Sequence, residues 1–176
     1  MSRIIAAIIE LFVCICALWA VSFLSTFFHE LGHAIGYMLS TGGRHWHIRV
    51  GSGKKLVETK ALTVKLLVFD GDFEPAENRI DSKGKLVSTL IGGPAVSLVL
   101  VILLLLLRFG GVSFNSEVIA SSAIESFLNY ALFCNAFILV FSIIPAHYFF
   151  GEIRGMETDG LKIINAIKSR EEPKGS

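Results

Sequence analysis

Residues 25–39 read STFFHELGHAIGYML, and they place the ionisable group His29, Glu30 and His33 inside a nearly unbroken apolar run from Ile4 to Leu39. At 1.5 Å per residue, one helix over that run is about 54 Å long, more than the ~30 Å hydrocarbon core of a bilayer. The run must therefore protrude, tilt or break. Arg3 precedes it, as in a cleavable leader, but the run outlasts an ordinary leader core and no Ala-x-Ala site comes before the histidines.

Composition agrees with a membrane setting. Hydrophobic residues make up 53% of the 176, and the mean hydropathy is +0.64. The formal net charge is only +1 and no basic block is interleaved with aromatics, which excludes nucleic acid as a partner. Cys14, Cys16 and Cys134 all lie in apolar runs without CxxC spacing, so they read as small hydrophobes and predict no disulfide framework.

Beyond Leu39 the character changes. Residues 41–85 hold nine of the sixteen Lys and Arg residues, several glycines and β-prone runs such as Ala61 to Phe69. They predict a small polar insert containing strands. Leu86 to Leu107 and Val118 to Ile144 are each long enough to span, with a short turn at Gly110 to Ser116 between them. After Pro145 an irregular stretch leads to a helical pattern carrying Leu161, Ile163, Ile164 and Ile167.

The expected fold class is an α-helical membrane protein of three to four transmembrane helices with a β-containing insert after the first. Residues 1–167 form one membrane-embedded core, and the charged tail 168–176 is disordered. The insert and the C-terminal region hold most of the Lys and Arg, against Arg3 and Arg108 on the other side. Positive loops stay cytoplasmic, so the insert and C-terminus are expected there. The histidines and Pro145 then lie at similar depth, toward that same side.

His29-Glu30-Leu31-Gly32-His33 sets two imidazoles at i and i+4 on one helix face, as two ligands of a tetrahedral zinc require. Glu30, beside the first ligand, suits a general base that takes a proton from the attacking water. An ionisable group at the bilayer centre costs roughly 2.5–3.5 kcal/mol, so three together point to a function. A catalytic zinc also needs a third protein ligand. The metzincin continuation fails, because its third histidine falls on Leu39. Glu125, His147, Glu152, Glu157 and Asp159 remain, and spacing does not choose among them. His45 and His47 flank Trp46 and read as residues of an exposed strand, and Asp70-Gly71-Asp72 reads as a turn between strands.

The chain resembles the site-2 protease family of intramembrane zinc metalloproteases. The resemblance rests on the membrane HExxH, on Gly51-Ser52-Gly53 in the insert, on Gly92-Gly93-Pro94 opening the second core span, on Asn135 and Pro145, and on Asp159-Gly160. It implies zinc held by His29, His33 and Asp159, with Glu30 catalytic and Asn135 binding the substrate backbone or the developing oxyanion. The implied substrate is a membrane-spanning or membrane-proximal protein or peptide, met within the lipid bilayer and hydrolysed by activated water. Three departures stand out. Ser97 and Ser142 occupy positions where asparagine is usual, and the interval from Pro145 to Asp159 exceeds the compact family form. Two other function classes use the same residues: a membrane metal-binding or transport protein, and a catalytically silent scaffold. Glu30 is superfluous to the first, and the complete His29, Glu30, His33 set argues against the second.

Overall fold

The computed structural model describes residues 2–110, 118–149 and 151–169. The first apolar run forms one continuous helix, α1 (Ser2–Thr41), about 60 Å long at 1.5 Å per residue. It does not break, since nothing between its ends removes a backbone donor. Its first four turns stand clear of the remaining chain, with Ile4, Ile8, Leu11 and Phe12 all more than half exposed. The second half turns a polar stripe inward. Ser22, Ser25, Thr26, His29, Glu30, His33 and Tyr37 are buried at helical spacing, whereas Leu24, Phe28, Ile35 and Leu39 face outward. This reversal of the water-soluble pattern suits a helix whose surroundings are lipid.

The insert folds as β1 (Trp46–Glu58) and β2 (Leu62–Pro75), paired antiparallel. Both strands bend sharply. Ile48 pairs with Phe73 on one side and Leu62 on the other, and Val50 pairs with Gly71 and Val64, so residues 48–50 lie between two parts of β2. The bend in β1 falls at Gly51 (φ 89°) and Gly53 (φ 79°), a backbone conformation that favours glycine. Gly51-Ser52-Gly53 is thus a bend within a strand. Asp70-Gly71-Asp72, expected as a turn, instead lies inside β2. Ile48, Val50 and Val68 are buried with Ala34 of α1, and Phe23, Phe27 and Phe73 close around them. Trp19 Nε1 donates to the Leu66 carbonyl at 2.7 Å, fixing the sheet along α1.

The second long apolar helix is α2 (Lys83–Phe109), capped by the Ser82 hydroxyl, with Pro94 within it. It crosses α1 where glycines meet. A Cβ on Gly32 or Gly92 would collide with the other's carbonyl oxygen, and one on Gly36 would strike the carbonyl of Ser88. Gly32 and Gly36 are four apart, as are Ser88 and Gly92, so small residues on both helices let the backbones touch. The third long apolar helix is α3 (Val118–Ile143), which ends just before Pro145. A fourth, short helix α4 (Asp159–Lys168) is capped by the Thr158 hydroxyl, which accepts from Leu161 N.

The described fold therefore has four helices, of which three are long and apolar enough to cross a membrane, and a two-stranded antiparallel sheet. Lys168 closes α4, and the remainder of the charged tail, from residue 170, lies outside the described residues. So does the turn expected at Gly110 to Ser116, from residue 111 onward.

Candidate metal centre

His29 and His33 stand one turn apart on α1, both buried, with ring centroids 5.0 Å apart. Their outer nitrogens are engaged. His33 Nδ1 donates to the Thr89 carbonyl at 2.9 Å, and His29 Nδ1 lies 2.9 Å from the hydroxyl of Ser97, which is fully buried. Each partner sits on α2, brought within reach by the glycine crossing. Gly93 completes the arrangement, because a Cβ there would run into the His33 ring. With Nδ1 protonated and held, each imidazole presents the Nε2 lone pair to the space between the helices.

Asp159 fills that space from the opposite side. Its Oδ2 lies 3.4 Å from His29 Nε2 and 3.3 Å from His33 Nε2. A tetrahedral ion with bonds of about 2.0–2.1 Å separates its ligand atoms by about 3.3–3.4 Å. The two measured edges match that figure, and the three ligand atoms all lie within 4.8 Å of one another. Two neutral imidazoles and one carboxylate form a donor set that fits a divalent ion, so this buried cluster could hold a metal ion.

The long interval after Pro145 is taken up locally. Thr158 N donates to the Ala146 carbonyl at 3.0 Å, and Tyr148 N to that of Met156 at 2.9 Å, so the intervening chain folds into a hairpin whose ends meet. The Thr158 hydroxyl donates to the Ile144 carbonyl at 2.6 Å. Asp159 consequently follows the end of α3 closely in space. Gly160 permits this approach, because a Cβ there would overlap the Ile143 carbonyl. The hairpin is also tied to the sheet: Asp70 Oδ2 accepts from Glu152 N at 2.8 Å, and Glu152 in turn pairs with Lys65 and accepts from Gly53 N at 3.1 Å.

Glu30 is buried and lines the same small chamber as the three ligands, a space of about 70 Å³. Gly71 of β2 is pressed against it, leaving room for the carboxylate where a larger residue would not. Tyr148 and Lys162 line the chamber as well, and neither was singled out in the sequence. Burial pushes the Tyr148 hydroxyl above its ordinary range, with the charges of Asp159 and Glu30 adding to the effect, so it remains a hydrogen-bond donor.

The other residues considered as third ligands lie away from the cluster. Glu125 lies 3.7 Å from Arg108, Glu152 pairs with Lys65, Glu157 accepts from Asn165 at 2.9 Å, and His147 is exposed, its backbone bridged to that of Glu157 across the hairpin. His47 spans Lys60 and Thr63, and His45 lies 3.3 Å from Glu77. Asn135 is buried in the α1–α3 contact and is not among the residues lining the chamber. Its amide donates to Ser25 Oγ at 3.0 Å and to the Ala131 carbonyl at 2.8 Å. Ser25 precedes His29 by one helical turn, so Asn135 supports the helix bearing His29 and His33 from the side.

No known family model, curated protein or solved structure matches this chain.

Ser97 offers a direct check of the imidazole geometry. Ser97→Ala removes the partner of His29 Nδ1 without adding volume, and metal affinity is expected to fall roughly 10- to 100-fold, as for other outer partners of histidine ligands. Competition with a chromophoric chelator measures it, and unchanged affinity would show that Ser97 does not orient the ring.

Proposed function

We propose that the protein is an intramembrane zinc endopeptidase of the site-2 protease type, acting on membrane-spanning or membrane-proximal segments. The observation that carries this reading is the meeting of His29, His33 and Asp159 at tetrahedral spacing with Glu30, which is not one of the three, in the same chamber. A metal-carrying site needs only the ligands. A hydrolase also needs a base beside them. A zinc ion held there supplies Lewis acidity, which acidifies water and polarises a carbonyl.

The chain's own groups account for the remaining steps. Glu30 takes the proton from the attacking water and returns it to the departing amine. The Thr89 carbonyl and Ser97 hold the imidazoles in register throughout. Tyr148 supplies a neutral donor at the chamber wall, suited to an oxygen that gains charge. Asn135, whose two amide hydrogens are both engaged, acts in this scheme by steadying the Ser25–His29 turn or by exchanging a partner for the substrate. Peptide bonds in a helix are shielded, so the substrate must unwind locally. Residues 71–75 of β2 pair with 46–50, and Gly71, Asp72 and Phe73 among them line the chamber, where an extended strand can add.

The test is a comparison of membranes from cells carrying the wild type and Glu30→Gln. Substrates should accumulate uncut only in the variant, and identical membrane proteomes would remove the protease reading. The charge asymmetry further places the insert in the cytoplasm under this proposal. Single cysteines at the exposed Lys54 and Phe109, in a background lacking Cys14, Cys16 and Cys134, should then label from opposite faces of the membrane. Labelling of both from one face would break the three-span arrangement.

A further inference from the structure

The chamber beside His29, His33 and Asp159 has a volume of about 70 Å³. It does not end there. A second space of about 50 Å³ adjoins it and shares His29, Glu30, Gly71 and Tyr148 with it. That antechamber shares Thr26, Phe69, Phe137 and Ile138 with a third and larger cavity of about 350 Å³ between α1, β2 and α3. The walls of the large cavity are apolar apart from Ser22, Thr26 and Tyr130, and the hydroxyls of Ser22 and Tyr130 hydrogen-bond each other at 2.8 Å. Shared walls thus set these spaces side by side, from His29 and Glu30 to an apolar hollow large enough for a bulky side chain.

We propose that this hollow is the subsite for a large apolar side chain of the substrate next to the scissile bond, so that the protein selects cleavage sites flanked by Leu, Phe or residues of similar size. The inference rests on the protease reading above and adds the specificity of that site. Its occupant follows from continuity: a peptide whose carbonyl reaches the metal ligands has its neighbouring side chain directed along the antechamber. Filling the hollow with apolar surface removes that surface from water or from a loosely packed lipid chain, and it is the only one of the three spaces that can reward size.

The experiment uses zinc-loaded full-length protein in detergent micelles and peptides identical except for Ala, Leu or Phe at one position beside the bond cut. Affinity is measured by fluorescence anisotropy with Glu30→Gln protein, and cleavage with protein carrying the native Glu30. Leu and Phe peptides are expected to exceed the Ala peptide by about tenfold or more in both affinity and kcat/KM. Cys134→Phe, which fills the hollow away from the metal ligands, should reduce that ratio to near one while zinc content and handling of the Ala peptide stay unchanged. Phe137→Ala, which enlarges it, should shift preference from Leu toward Phe, and it serves if the filled variant does not fold. Size preference that both variants leave unaltered, or equal affinity for all three peptides because acyl chains occupy the hollow, overturns the subsite. If the peptides bind with the expected preference and the variants shift it, but no bond is cut, the subsite stands and the protease reading falls.

Discussion

Glu30→Gln is expected to keep its metal and to lose cleavage by roughly 100- to 10,000-fold, the usual contribution of a positioned general base. The amide keeps the size of the carboxyl, so the packing of Gly71 against this side chain survives. His29, His33 and Asp159 are untouched, and the ion should bind as before. What disappears is an oxygen able to accept a proton. Metal analysis of purified protein, alongside turnover of a membrane substrate, checks both halves. Normal turnover in a folded, metal-loaded Glu30→Gln protein would remove Glu30 from the chemistry. Loss of metal together with activity would instead make it part of the ligand set.

Asp159→Ala is expected to fail differently, losing metal and activity together. Removing the carboxylate deletes two of the three edges of the cluster, those of 3.4 and 3.3 Å, and leaves two imidazoles facing a gap. Affinity should fall by more than the roughly 10- to 100-fold expected for an outer partner such as Ser97. The helix should persist, because Thr158 rather than Asp159 caps α4. Asn135→Ala provides the contrast. It lies outside the chamber, so metal should stay bound while turnover declines. Isothermal titration with zinc and a parallel activity assay separate the two. Full metal binding by Asp159→Ala would reassign the third ligand, with Glu157 and His147 on the adjoining hairpin the first candidates to substitute.

The sequence alone determined those features that depend on neighbours along the chain. The spans were legible because twenty or so apolar residues admit few alternatives, and α2 and α3 begin and end within a few residues of the expected positions. The pair His29 and His33 was legible because four residues of helix fix two side chains on one face without reference to the remaining fold. The β-containing insert was legible from its polar, glycine-rich composition, and the resemblance implied the strand turn at Gly51 to Gly53, but Asp70 to Asp72, expected between strands, proved to lie within β2.

Tertiary structure decided everything that joins distant residues. Spacing left five candidates for the third ligand, and a resemblance favoured Asp159, but what brings Asp159 to the histidines is the hairpin closing Ala146 onto Thr158 and the absence of a side chain at Gly160. Gly32 stood in the motif as an unspecified position, and Gly36 as the glycine of the metzincin continuation that fails at Leu39. Both are contact points that let α2 approach closely enough for Thr89 and Ser97 to hold the imidazoles. Ser97 was legible only as a departure from asparagine, and Tyr148 not at all. The physical reason is the same in each case. A helix period fixes direction around one axis, whereas a tetrahedral site of about 3.3 Å edges requires three backbones to be placed in space, and that placement depends on close contacts for which the linear order carries no period.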